Sequence, residues 1–184
     1  AGTHNPEDID QLADRINTDV TEASDDSDEE DPVAESEAMM EKYGDLYNEN
    51  KDFIGWLSIE GTNINNPVMY TPDDPEHYLR KNFNGDYDIG GMLFVIPDVP
   101  STISTDTIIY GHHMKNGTMF GPLMDFQDND YLKEHSVVTF DTMYRPALNK
   151  LFASFQSKAY DPDSEEFKYY DFINAETAYD LKNI

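Results

Sequence analysis

Six short apolar runs, each cut off by turn residues, occupy the middle of this chain and narrow its choice of fold. Phe53–Ile59 stops before Gly61, and Asn65–Tyr70 follows it. Gly90-Gly91 opens Met92–Ile96, which Pro97 ends, and Thr107–Tyr110 runs into Gly111-His112-His113. Ser136–Phe140 and Leu151–Phe155 come last. Runs of this length, rich in β-branched and aromatic residues and bounded by Gly, Pro and Asn, predict strands. Between them, Pro72–Arg80 predicts a short helix capped by Asp73 or Asp74, and 118–134 a loop with short helical turns. The expected fold class is mainly β with helical insertions, closing as a β-barrel. After Phe155 the sequence turns polar and aromatic and reaches Ile184 with no closing strand. The barrel is therefore expected to be incomplete, its C-terminal strands missing and one edge unpaired.

Ahead of the strands, Met40, Tyr43, Leu46 and Tyr47 recur at the spacing of one helix face. This predicts an N-terminal helix over 38–50, packed on a partial barrel of 51–184. Residues 1–37 read as an acidic disordered spacer: they hold 14 acidic residues against one base, Arg15, for a net charge of −13. The run Asp25-Asp26-Ser27-Asp28-Glu29-Glu30-Asp31 repels itself and has nothing apolar beside it to offset ordering entropy. It also lacks the spacing and central Gly of an EF-hand.

The remaining residues carry 38 − 14 = 24 acidic and 12 − 1 = 11 basic side chains, a further −13 towards the total of −26. Such a chain is repelled by phosphate backbones and by anionic bilayers, so no nucleic-acid partner is expected. The sequence holds no cysteine, which excludes disulfides, thiolate zinc sites and a cysteine nucleophile within it. No apolar run is long enough to span a bilayer, no signal-peptide core is present, and the first residue is Ala1. A segment upstream, such as a membrane anchor, is expected to have been lost.

The segment Tyr110-Gly111-His112-His113-Met114-Lys115-Asn116-Gly117-Thr118-Met119-Phe120-Gly121 carries the chemistry. A strand that delivers His112 just after a Gly exposes an imidazole at a sheet rim, where it titrates near neutral pH as an acid or base. By itself the motif also fits a surface or structural histidine. His112 and His113 would point to opposite faces of a continuing strand and make a poor chelating pair, and no metal-ligand spacing occurs. No cofactor and no metal are expected. Ser101, Ser104, Ser136 and Ser154 lack a nucleophile elbow, so a serine hydrolase has no positive support.

Taken in order, Gly55-Trp56-Leu57-Ser58-Ile59, Gly61-Thr62-Asn63-Ile64, Pro67-Val68-Met69, Tyr78-Leu79, Gly91-Met92-Leu93-Phe94, Ile108-Ile109-Tyr110-Gly111-His112 and Thr118-Met119-Phe120-Gly121 resemble the class B sortases from about Glu41 to Thr142. The resemblance implies a sortase-type β-barrel and a cysteine transpeptidase on the outer face of a Gram-positive cell membrane. Such an enzyme cuts a C-terminal sorting motif after Thr, holds the protein as a thioester and passes it to an amine of the cell-wall precursor. By the same resemblance His112 is the catalytic histidine, and Tyr110 and Leu79 line the substrate groove. The family's Thr-Cys strand and later Arg do not occur here, and Arg145 precedes the nucleophile's place in chain order. As given, this chain is expected to be inactive; a non-catalytic, peptide-binding relic or scaffold at the cell surface is the alternative.

Overall fold

The computed structural model describes residues 3–19, 32–96 and 107–157. The acidic run Asp25–Asp31 and the tail after Ser157 lie outside the described residues.

Part of the stretch read as spacer is ordered helix. Helix α1, Pro6–Ala13, starts with Pro in its first turn and Glu7 and Asp8 near its positive end. Ile9 and Leu12 are both buried, and Ile16 packs against the same core. Steps of three and four between these residues mark a helix face. The charge count of the segment masked that face. Arg15 then pairs with Glu49 at 2.6 Å, and Asn17 N–H donates to the Lys42 carbonyl, tying this arm to the next helix.

Helix α2, Pro32–Glu49, begins earlier than the expected residue 38 and ends where expected. Its buried face is Met39, Tyr43 and Leu46. Met40, assigned to that face from spacing, is 44% exposed and lies instead against Gly44. The pattern of four and three from Met39 replaces three and three from Met40, a rotation of one residue around the axis.

Among the described residues six strands form one mixed sheet: β1 Phe53–Ile59, β2 Asn65–Tyr70, β3 Leu93–Val95, β4 Ile109–Tyr110, β5 Val137–Thr142 and β6 Leu148–Lys150, in spatial order β4-β3-β2-β1-β5-β6. Only β2 and β3 pair in parallel. β1 sits centrally, with Leu57 opposite Asn66 on one side and Phe140 on the other. Among the described residues the sheet stays open between β4 and β6. This is the mainly β, incomplete barrel expected from the sequence.

Leu46, Phe53, Ile64, Val68, Met69 and Leu93 have no exposed surface and form the centre of the core. Each such side chain contributes about 1.5–3 kcal/mol by leaving water.

Two expected elements are corrected. The helix over Pro72–Arg80 is a 3-10 helix of His77–Arg80 only, because Pro75 disfavours helical geometry at Asp74 and turns fill the preceding residues. Among the described residues the last strand is Leu148–Lys150, and Leu151–Phe155 is not a strand. Pairing of Val137 with Lys150 reaches the start of β5, so the register stops there, and Phe152 and Phe155 are exposed.

Candidate active site around His112

The site grows from the edge strand β4. Phe94 and Tyr110 pair across β3 and β4 and stack with ring centroids 5.7 Å apart and planes 20° apart. Gly111 follows at a point of close approach. A Cβ there would lie 2.4 Å from Leu93 Cδ2 and 2.7 Å from Phe120 Cδ2, so only Gly lets the strand pass under Phe120.

His112 is the next residue. Its carbonyl accepts a 2.9 Å hydrogen bond from Phe120 N–H, and His113 bridges to Met119, closing 112–120 into a tight loop. Within that loop the Asn116 side-chain oxygen accepts from both the backbone and the hydroxyl of Thr118. Asn63 Nδ2 reaches across to the Gly117 carbonyl at 3.3 Å. The imidazole is thus carried on a braced loop rather than a free one.

Partial burial of the ring lowers the pKa of His112 below the ordinary histidine value, and the nearby Arg80 guanidinium lowers it further; His4 adds to the shift, while Asp88 opposes it. Near neutral pH the ring therefore favours its neutral form, ready to accept a proton. Arg80 is held at the site by a 2.8 Å bond from its guanidinium to the Ile89 carbonyl. Asp88 is buried, and accepts from Gly90 N–H at 2.6 Å and from His4 Nδ1 at 2.8 Å. The 80–90 loop and the N-terminal arm thus meet beside the histidine.

His113 lines a shallow cavity of about 480 Å³ with Thr62, Asn63, Lys115 and Tyr131. Tyr110 is half-buried on Phe94, and Leu79 is 37% exposed in the 3-10 helix directly before Arg80. Arg145 lies in the turn between β5 and β6, where its carbonyl accepts from Thr142. Among the described residues no cluster of His, Asp and Glu is arranged to hold a metal ion.

Arg80, Asp88 and His4 were not singled out from the sequence. Asp88 stands just before Gly90-Gly91, a turn signal that hinted at a structured loop. Nothing local linked His4, more than a hundred residues from His112, to the site.

No protein-family model matches the chain. Sortase B of Listeria monocytogenes is 33% identical over 122 residues, which is 65% of this chain and 48% of that protein. Sortase B of Staphylococcus aureus is 27% identical over 126 residues, 68% of this chain and 51% of that protein. The crystal structure of sortase B from Bacillus anthracis superposes with a TM-score of 0.69 at 22% identity, covering 97% of this chain and 77% of that one. An open mixed sheet with a histidine at the end of its edge strand, matched in this way, defines a sortase-type domain. The chain spans about half the length of the curated relatives it matches. Over its matched part the chain is similar to the class B sortases.

Proposed function

We propose that this chain carries the histidine-bearing part of a class B sortase transpeptidase, with His112 as its acid–base residue. The observation that supports this most directly is the placement of His112: rim of an edge strand, braced loop, neutral-favouring surroundings and an arginine close by. Thioester chemistry at a sorting motif needs a thiolate nucleophile, a histidine that protonates the leaving amine, and a cation that steadies the oxyanion. The sequence has no cysteine, so the nucleophile must come from outside these residues. A thiolate set against His112 would raise its pKa again and form the ion pair that such chemistry uses.

In this reading Tyr110 and Leu79 line the groove for the sorting-motif peptide, and the acceptor is a cell-wall precursor amine. In the same reading the domain works at the outer face of the membrane of a Gram-positive-type cell. No helix among the described residues is long and apolar enough to cross a membrane. By itself the 184-residue chain cleaves no peptide, because no side chain in it replaces a thiolate.

The absence of cysteine also favours a second reading, a surface protein that binds a sorting peptide without processing it. One experiment addresses both. A sorting-motif peptide is titrated into the labelled chain, with and without a downstream polypeptide bearing a Thr-Cys strand and an arginine. Saturable shifts at His112, Tyr110 and Leu79, with cleavage only on complementation, are expected for the transpeptidase. Binding without cleavage in either case selects the scaffold. No binding at all removes both.

A further inference from the structure

The N-terminal arm, residues 3–19, reaches both loops that flank His112. His4 is its anchor. The side chain is 2% exposed, and its Nδ1 lies 2.8 Å from Oδ1 of Asp88, itself buried. The imidazole rests on Gly90: a Cβ there would lie 2.5 Å from His4 Nδ1 and 2.7 Å from its Cγ. Only a residue without a side chain leaves the ring this seat. Further along the arm, Ile9 and Leu12 are buried in the same cluster as Met119. His4 and Ile9 also border one cavity with Thr118 and Met119.

Both loops hold their shape through bonds that the arm backs. In 80–91, Asp88 N–H donates to the Arg80 carbonyl at 3.0 Å and Gly91 N–H to the Asp88 carbonyl at 3.2 Å. Asp88 Oδ1 accepts from Gly90 N–H at 2.6 Å. Take His4 away, and that is the one side-chain bond Asp88 keeps among the described residues. A buried carboxylate that loses a partner destabilises the segment that carries it. In 112–120, Phe120 N–H holds the His112 carbonyl, directly after the Met119 on which the arm's apolar face closes.

The arm itself is lightly held. Helix α1 has eight residues, too few to persist alone in water. Besides His4, Ile9, Leu12 and Ile16, it is tied by the Arg15–Glu49 pair, which is 38% and 42% exposed and therefore well screened. One backbone bond, from Asn17 to Lys42, completes the attachment. Segments with so few buried contacts open locally while the rest of a domain stays folded.

We infer that the N-terminal arm is a detachable strap, latched by His4 between Asp88 and Gly90, whose seating braces loops 80–91 and 112–120 around His112. When the arm leaves, both loops loosen together. By linkage, whatever favours the braced rim also favours the seated arm. The inference rests on where His112 lies in the fold and not on the transpeptidase reading, and no peptide enters its test.

The test is amide hydrogen exchange on the full chain and on three variants. His4→Ala removes the latch. Gly90→Ala fills its seat, and because Gly90 is outside the left-handed region the added methyl brings no backbone strain. Leu12→Ser weakens the arm further along, away from the latch. In each variant, exchange at α1, at Asp88 and Gly91, and at Phe120 should rise together by at least about tenfold. The Leu57 and Phe140 amides, paired across β1 and β5, should keep their parent rates and so report that the sheet is folded. Parent-like protection of α1 in a folded His4→Ala chain overturns the latch. A Leu12→Ser chain that frees α1 but leaves Gly91 and Phe120 as protected as before overturns the bracing. Loss of protection at Leu57 and Phe140 in all three variants makes the arm part of the global core, and the strap falls with it.

Discussion

The Tyr43 hydroxyl donates a 2.7 Å hydrogen bond to Asp141 Oδ2, joining α2 to β5 across 98 residues of sequence. Lys42 Nζ lies 2.7 Å from the same oxygen, and Asp141 is only 1% exposed. A carboxylate this deep tolerates its charge only while it is paired. Replacing Lys42 by Met should cost about 3–5 kcal/mol, because it strands the charge, whereas Tyr43→Phe should cost about 1–3 kcal/mol. Urea unfolding of both variants at pH 7 measures the difference. Equal stability of Lys42→Met and the parent would show that the pair does not hold the helix to the sheet.

Gly55 sits where β1 crosses β5. A Cβ built there would lie 2.1 Å from the Asp141 carbonyl oxygen, and backbone cannot swing aside as a side-chain tip does. Gly55→Ala should therefore part the two strands at the Gly55–Thr142 pair and cost at least about 1–3 kcal/mol. Amide hydrogen exchange is the direct readout, with faster exchange expected in β5 and unchanged rates in β3. Uniform protection across the sheet would count against this account.

Tyr78 is a second buried group with a readable titration. Burial pushes its pKa up to about 12, the Asp52 carboxylate adds to the rise, and the Asn50 side chain opposes it. A raised folded pKa means the unfolded chain ionises first. Stability from this group is full below about 10 and is lost as pH rises towards 12. Ultraviolet titration should show a late-ionising component, and Tyr78→Phe should reduce its amplitude by one tyrosine. A single transition near the ordinary tyrosine value would refute the assignment.

Much of this architecture was legible. β1 and β2 have the bounds their apolar runs implied, because Gly61 and the Asn65-Asn66-Pro67 start are local signals. The errors arose where local signals competed with tertiary ones. Ile9 and Leu12 form the buried face of a helix inside a segment whose charge suggested none. Phe152 and Phe155 look like strand residues, yet the β5–β6 register stops at Lys150 and both are exposed. For the site, His112 was legible because its strand and glycine are contiguous with it. Arg80, Asp88 and His4 were not, since only the packing of the 80–90 loop and the N-terminal arm brings their charges to that ring.

Those charges yield the most informative prediction at the site. Burial contributes most to the lowered pKa of His112, with Arg80 next, so Arg80→Ala should raise it towards the ordinary value without reaching it. Asp88 acts in the other direction, and Asp88→Asn should lower it further, provided His4 keeps its place. The sign for stability follows from linkage. The unfolded chain binds the proton of this histidine more tightly than the folded one, so stability falls as pH drops through the unfolded value near 6.5 towards the folded one. Above 6.5 neither state is protonated there and the contribution is flat. Nuclear magnetic resonance of the His112 ring across pH 4 to 8 reads the shift directly, and thermal unfolding over the same range reads its consequence. If Arg80→Ala leaves the titration unmoved, the arginine is too well screened to tune the histidine, and its part in any proton transfer at this rim falls with it.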